Sequence, residues 1–295
     1  MTAPGGAEIF DLGYQGYDGA RTGRSSRRRA IWRDGVRISL GLGRGSGAKV
    51  APWVLIAFAL VPALLLVVIA AFVGSAASDP DDFELPSYAE YYEFAIIPLS
   101  LFAAVVAPLL VCPDRRDGVL SLYAARPIAP LDYAASRWAA FATVAAGVAC
   151  LPEAILFVWN LLDARDTGEW VSENLDLVPR FLAAGLLVAF VLTALALLVS
   201  SFTARRAYAA IGTLAVLFVG AAVGGIAEGS FTGPLSDAVS LVSLTQAIQD
   251  AVHWLLGDDP GDRPVPGSVS TLWLAGLTVA LTAWYLRRME RVVRG

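Results

Sequence analysis

The sequence predicts an all-α integral membrane protein with six transmembrane helices and both termini in the cytoplasm. Hydrophobic residues make up 57% of the chain, and charged residues make up only 16%. A soluble globular domain is usually about half apolar and about a quarter charged. Six long apolar runs and an uneven distribution of basic residues between alternate loops complete this prediction.

Each of the six apolar runs is long enough to cross a bilayer, which takes about 20 residues in a helix. The first run contains no charged residue, and the second is interrupted by two prolines. The predicted spans are 51–73, 95–112, 138–162, 179–201, 207–227 and 267–286. The resulting segments are a cytoplasmic N-terminal segment (1–49), a six-span domain (50–286) with an outer insert (228–266), and a cytoplasmic tail (287–295).

The orientation follows from the distribution of arginine and lysine. Of the 22 basic residues, all but Arg165, Arg180 and Arg263 lie in the two terminal segments, the loop between the second and third spans, or the turn between the fourth and fifth. Cytoplasmic loops of membrane proteins are enriched in basic residues. We therefore expect a multi-pass protein of a bacterial cytoplasmic membrane with both termini inside.

The loop between the second and third spans carries one pattern that is typical of an enzyme. Asp114-x-x-Asp117-Gly118 resembles the start of the metal-binding motif of membrane-bound CDP-alcohol phosphotransferases. That motif continues with an Ala-Arg pair, but Ser121 and Leu122 stand in its place, and its two later aspartates have no counterpart. Two aspartates provide too few oxygen ligands for a hard cation. We therefore predict no catalytic residues, metal site or cofactor in this chain.

The same loop, "CPDRRDGVLSLYAARPIAPLDYAASR", is also interpretable as a docking surface. Residues 117–126 predict a short helix that presents Leu120 and Tyr123 and ends before Pro127, since the residue before a proline tends to leave the helical region. A short helix held at both ends by spans can seat in a groove of a soluble partner. The alternative is an amphipathic loop that lies on the membrane surface.

A charged patch, a glycine, a short apolar helix, the sequence "RPI" and an aspartate follow one another in this loop. This order resembles the coupling loop of permeases of the type-2 class of ABC exporters, where the loop contacts the ATP-hydrolysing subunit. The segments "GYQGYDGARTGR" and "GLGRGSGAKVAPW", the outer insert and the six-span order also resemble that family. The resemblance implies a coupling element made of Asp117, Gly118, Leu120, Tyr123, Arg126 and Pro127.

This resemblance implies a permease that exports an apolar or amphipathic cargo, such as a drug, an antibiotic or a lipid. Mg-ATP would bind to an ATP-binding subunit present in two copies, and this chain would itself catalyse nothing. A second permease copy or a paralogue is implied as well, with the lipid bilayer as surroundings and no nucleic acid. Two alternatives stay open, namely a non-transporting membrane scaffold or assembly factor and a membrane-embedded phosphotransferase.

The N-terminal segment contains an amphipathic pattern over residues 25–43. On a helical wheel Trp32 and Val36 lie on the apolar side, whereas Arg33 and Arg37 lie on the basic side. We predict a helix at the cytoplasmic membrane interface, with its arginines toward anionic lipid. The resemblance adds a second possibility, in which this helix packs beside the coupling helix and contacts the ATPase.

The outer insert predicts one or two short helices. Apolar residues recur with helical spacing between positions 241 and 255, and His253 is expected on the polar face of this segment. Such a helix either closes the outer end of a translocation path or covers the ends of the spans.

Two features inside the predicted spans suggest further roles. Glu153 follows Pro152 in the third span, where a carboxyl group is costly unless it faces protein or water. It either contacts substrate or hydrogen-bonds to the helix backbone that the proline frees. Gly220-x-x-x-Gly224 in the fifth span allows close packing, either within the chain or against a second permease.

Overall fold

The computed structural model describes residues 23–43, 45–76, 86–120, 128–230, 241–258 and 265–294, and the regular elements within these ranges are α-helices. The helices are α1 (Arg24–Ser39), α2 (Ser46–Ala76), α3 (Tyr88–Val106), α4 (Pro108–Arg116), α5 (Pro130–Asp163), α6 (Thr167–Asn174), α7 (Leu177–Ser200), α8 (Arg206–Ser230), α9 (Leu244–Leu256) and α10 (Gly267–Arg294). Leu120 is also helical, and residues 121–127 after it lie outside the described ranges.

Six of these helical segments are long and apolar enough to cross a membrane, which confirms the predicted six-span, all-α fold. They are α2, α3 together with α4, α5, α7, α8 and α10. All six extend beyond the apolar run that predicts them at one end or both, and three do so by many residues at the basic residues of a loop or tail. The second segment continues to Arg116, the third begins at Pro130, and α10 continues to Arg294 through residues that the sequence assigns to a tail.

Local sequence explains where several helices begin and end. Ser87 caps α3: its Oγ accepts a hydrogen bond from the Glu90 backbone N–H, while the Glu90 carboxylate accepts one from the Ser87 N–H. The helical hydrogen-bond ladder is interrupted between α3 and α4, because Pro108 has no backbone N–H to donate. After α4, Gly118 adopts a left-handed backbone with φ of +68°, which ends the helix at low steric cost.

The helices divide into a central and a peripheral set. Most residues in the apolar parts of α3 and α7 are buried within the chain, whereas α2, α8 and α10 expose large apolar side chains along their length. Leu65, Val219 and Leu272 are examples, and they are 54%, 60% and 74% exposed. Contiguous apolar surface of this extent is rare on soluble proteins. We assign it to contact with lipid acyl chains.

Four segments meet at one end of the bundle, which we call the basic end. They are α1, the region from Asp114 to Leu120, the turn over 201–205, and the last turns of α10. Helix α1 packs along the first half of α5 and also touches α4. At the opposite end, α9 lies among α3, α7, α8 and α10.

Candidate functional site at the basic end

Arg137, in the second turn of α5, is a buried arginine whose side chain is only 2% exposed. Its Nη1 donates a hydrogen bond to Asp34 Oδ2 of α1 at 2.8 Å, and its Nη2 donates to Asp114 Oδ2 of α4 at 3.0 Å. One guanidinium group therefore links three helices that are far apart in the sequence.

Two tyrosines enclose this arginine. The Tyr133 hydroxyl donates to Asp114 Oδ2 at 2.6 Å, and the Arg137 guanidinium carbon lies 5.4 Å from the centre of the Tyr133 ring. Tyr285 of α10 is fully buried nearby, and its hydroxyl lies 3.5 Å from the Ala134 carbonyl oxygen. We call Asp34, Asp114, Tyr133 and Arg137 the Arg137 cluster. It connects the N-terminal helix with the end of the second span and the start of the third.

Small residues bring α1 close enough for this contact. A Cβ atom added to Gly35 would lie 2.5 Å from the Ala140 Cβ, which is closer than real side chains approach. The buried stripe of α1 consists of Ile31, Gly35 and Ser39. The small size of its residues therefore determines which side of α1 packs on the bundle as much as their hydrophobicity does. The buried stripe lies on a different side of the helix from the apolar side that the sequence predicts.

The predicted interface residues lie around that stripe. Trp32 is half-buried, and its indole Nε1 donates to Thr143 Oγ1 of α5 at 3.2 Å. Val36 packs against the core, while Arg33 and Arg37 are exposed. The two arginines are thus available to a second surface. Their contact with lipid or with an ATPase stays a prediction.

A second ionic contact fastens the start of α1 to the start of α5. Asp132 is 2% exposed and accepts hydrogen bonds from Arg24, at 2.6 and 2.9 Å, and from Arg28, at 2.7 Å from its Nε. The hydrogen bond to Asp132 and its negative charge raise the pKa of the Arg24 guanidinium above its ordinary value. Helix α1 is therefore held to α5 by ion pairs at two positions along its length.

The turn between the fourth and fifth spans is joined to the same end by two arginines. Arg115 of α4 and Arg288 of α10 both donate to the Ser201 carbonyl oxygen, the latter at 3.1 Å. The Arg288 guanidinium also lies 3.9 Å from the centre of the Phe202 ring. A displacement of this end of the second span would therefore also displace the turn and the last helix.

The predicted coupling residues begin three positions after Asp114, a member of the Arg137 cluster. Asp117 is exposed at the end of α4 and pairs with Arg116, whose hydrogen bond lowers the pKa of the Asp117 carboxyl. Gly118 forms the turn after α4. Leu120 is 7% exposed and belongs to the chain's own apolar core, so it is unavailable as an anchor for another protein. The remaining predicted members, Tyr123, Arg126 and Pro127, lie outside the described residues.

Glu153 lies within α5, away from the basic end, and is fully buried. Neither of its carboxyl oxygens has a hydrogen-bond partner among the described residues. The predicted hydrogen bond to backbone freed by Pro152 is therefore absent from the described part of the chain. The alternative, contact with a substrate, stays a prediction.

The glycine pair of the fifth span packs against a turn of the same chain. A Cβ on Gly220 would lie 3.3 Å from the Val242 carbonyl oxygen, and one on Gly224 would lie 2.6 Å from the Ser243 Cβ. Ser243 caps α9 by accepting from the Gln246 backbone N–H. The close packing of these glycines is thus internal, and it seats the start of α9 against α8.

His253, which the sequence places on the polar face of α9, is buried. His253 is 7% exposed, and its Nε2 lies 2.9 Å from Glu93 Oε1 of α3. Helix α9 is surrounded by four other helices, so most of its residues are buried, including polar ones. An amphipathic pattern shows which residues share a face, but it does not show that the second face is also covered.

Together these features define a six-span helical membrane protein with a buried ionic cluster at one end. No known protein-family model matches the sequence, and a comparison with curated proteins finds no match. The resemblance to exporter permeases therefore rests on the motifs themselves.

Sequence reasoning missed the residues that build the Arg137 cluster. In the sequence, Arg137 looks like one of several arginines in a loop, and Asp114 looks like half of an incomplete metal motif. In the structure each aspartate of that motif instead accepts a hydrogen bond from an arginine. One feature of the sequence could have indicated this cluster. Asp114 and Arg137 are charged residues at the ends of apolar runs, where a charged side chain needs a partner.

Proposed function

We propose that this chain is the permease subunit of a type-2 class ABC exporter and carries an apolar or amphipathic cargo through the membrane. ATP would bind to a separate subunit, and the loop between the second and third spans would receive its movement. Arg33 and Arg37 of α1 would offer further contacts to that subunit or to anionic lipid. Two ATP-binding subunits and a second permease copy or paralogue would complete the transporter.

The observation that carries the proposal is the rigid attachment of this loop at its base. The loop leaves α4 three residues after Asp114, whose carboxylate is bound by Arg137 and Tyr133 of α5. Through Asp34, the same arginine also binds α1. A force on the loop would therefore move α1, α4 and α5 together instead of being absorbed by a flexible linker.

The two ends of the bundle fit different tasks in such a transporter. At the basic end, charged side chains hold helices together across a surface that a soluble subunit can reach. At the opposite end, α9 fills the space between α3, α7, α8 and α10. We propose that α9 closes the outer end of the path in this state. Its displacement would accompany release of cargo.

The proposal predicts transport that depends on ATP hydrolysis in a partner. The full-length chain is expressed with the ATP-binding protein that co-purifies with it, and uptake of an amphipathic fluorescent dye is measured in inverted membrane vesicles. We expect uptake that requires Mg-ATP and is lost when the partner's phosphate-binding lysine is replaced. A stable complex whose ATP hydrolysis no dye stimulates, and which moves none, would instead favour the scaffold alternative.

The proposed orientation places the basic end in the cytoplasm and predicts the accessibility of two exposed serines. Ser25 lies in α1 and Ser172 in α6, at opposite ends of the bundle. In intact cells, an impermeant thiol reagent should label the Ser172→Cys variant and leave Ser25→Cys unlabelled until the membrane is permeabilised. The parent chain, with Cys112 and Cys150, gives the background. The reverse labelling pattern would invert the proposed topology.

A further inference from the structure

Two arginines from different helices donate to one backbone oxygen at the basic end. The Ser201 carbonyl, at the C-terminus of α7, accepts a hydrogen bond from Arg115 of α4 and another, at 3.1 Å, from Arg288 of α10. Arg291, one turn further along α10, lies within electrostatic range of Arg288. None of these three arginines forms an ion pair with a carboxylate of the described residues. The basic end therefore gathers three positive charges here without a paired acidic side chain.

The end of α7 compensates only a small part of this positive charge. The C-terminus of a helix carries roughly half a negative elementary charge, whereas each guanidinium group carries a full positive one. A single arginine would suffice to satisfy this helix end, so capping does not explain why a second and a third arginine converge on it. Arg115 and Arg288 are half-buried and Arg291 is exposed, and each guanidinium has several N–H donors. The arrangement therefore has both the charge and the donors to bind an anion.

Two exposed aromatic rings adjoin these arginines. The Arg288 guanidinium lies 3.9 Å from the centre of the Phe202 ring, and the Phe202 ring meets the Trp284 ring edge to face with 5.9 Å between the ring centres. Phe202 and Trp284 are 48% and 52% exposed. Trp284 precedes Arg288 by one helical turn, and the spacing of Trp284, Arg288 and Arg291 places all three on one face of α10. Aromatic rings followed by arginines are typical of the boundary between the hydrocarbon and headgroup layers of a membrane.

We propose that Arg115, Arg288 and Arg291 bind the phosphate group of an anionic phospholipid in the leaflet at the basic end. The glycerol and acyl chains of this lipid lie beside Phe202 and Trp284. Charge complementarity selects an anion, as in other basic pockets between spans that hold anionic headgroups. The exposed rings, which adjoin the lipid-facing surface of α10, select an anion with a hydrocarbon part, since a free phosphate ion would leave them in water. The inference goes beyond the proposed function and does not depend on it.

The test titrates the purified, delipidated full-length chain in detergent with dioleoyl phosphatidylglycerol and counts bound lipids by native mass spectrometry. Dioleoyl phosphatidylcholine, which has the same acyl chains and no net charge, is the matched probe. We expect one saturable site that prefers phosphatidylglycerol by about tenfold or more, and an affinity about tenfold or more weaker in the double variant Arg115→Gln, Arg288→Gln. The control variant Arg165→Gln, Arg180→Gln removes two exposed arginines at the opposite end and should bind as the parent does.

A competition experiment distinguishes a lipid site from a site for soluble phosphate. Glycerol phosphate has the charged group of the lipid but lacks its acyl chains. At a concentration equal to that of phosphatidylglycerol, we expect it to displace no lipid. Displacement at equal concentration would show that the arginines bind phosphate without the aromatic rings, and it would overturn the assignment to a phospholipid.

Equal affinity for the two phospholipids, unchanged affinity in the double variant, or an equal loss of affinity in the control would each overturn the proposal. If the double variant fails to fold, Arg291→Gln changes only an exposed side chain and should weaken binding of phosphatidylglycerol about fivefold. Unchanged affinity in that variant would also overturn it. Because the measurement needs neither ATP nor a partner, its failure leaves ATP-driven transport untouched. Conversely, lipid binding would stand if transport proved absent.

Discussion

Replacing both Asp34 and Asp114 by asparagine is expected to destabilise the protein by about 3–5 kcal/mol. The double substitution leaves the guanidinium group of Arg137, which is 2% exposed, buried without a counter-charge. The asparagine side chains keep the size of the aspartates and still accept hydrogen bonds, so the loss is mainly one of charge. The measurement is the free energy of unfolding in detergent, from a titration with sodium dodecyl sulfate.

A third substitution separates the charge from the packing. Adding Arg137→Met to the double variant removes the unpaired charge, so we expect a large part of the lost stability to return. Asp117→Asn, which breaks only the exposed pair with Arg116, is the control and should leave stability nearly unchanged. If the triple variant were no more stable than the double variant, the Arg137 cluster would not be held together by its charges.

The double variant Tyr123→Ala, Arg126→Glu is expected to release the ATP-binding subunit and to abolish ATP-driven uptake of dye. Binding energy at protein interfaces concentrates in a few aromatic and arginine residues, and truncating one of them commonly costs about 2 kcal/mol or more. The apolar runs of the spans are unchanged, so insertion should be normal. Co-purification of the ATP-binding subunit and uptake by vesicles are the two measurements.

A matched pair at the same end provides the control for this experiment. Arg205 and Tyr208 are exposed, and the Arg205 Nη1 donates to the Tyr208 hydroxyl at 3.1 Å. Arg205→Glu with Tyr208→Ala makes the same change of charge and size near the start of α8. We expect the subunit to remain bound in this control. Equal release by both double variants would show that general positive charge holds the partner, and the loop would lose its specific role.

The location of Leu120 refines this view of the loop. The apolar pattern over residues 117–126 indicates which side chains share a helix face, and it suggests that Leu120 and Tyr123 both meet a partner. In the structure Leu120 is buried in the chain's own core. We therefore expect Leu120→Ala to act mainly on the position of the loop, and we expect a contact with the partner to depend on Tyr123 and Arg126.

The number and order of the membrane spans could be predicted because they depend on local properties of the sequence. About 20 apolar residues in a row must form a helix in lipid, since every backbone polar group has to be satisfied within the segment. The same holds for α1 and α9, whose apolar spacing marks them as helices before any contact is known. What the sequence by itself determined is therefore the class of protein, the six spans and the positions of its two amphipathic helices.

The tertiary structure alone decided which charged groups are paired. Asp34 and Arg137 are 103 positions apart, and only the close approach of α1 to α5 at Gly35 brings them within 2.8 Å. In the same way, the packing of α9 among four helices buries His253, and the packing of α3 on α5 encloses Glu153 without a hydrogen-bond partner among the described residues. The physical reason is that the cost of a charge depends on its neighbours in space, and for these residues those neighbours come from distant parts of the chain.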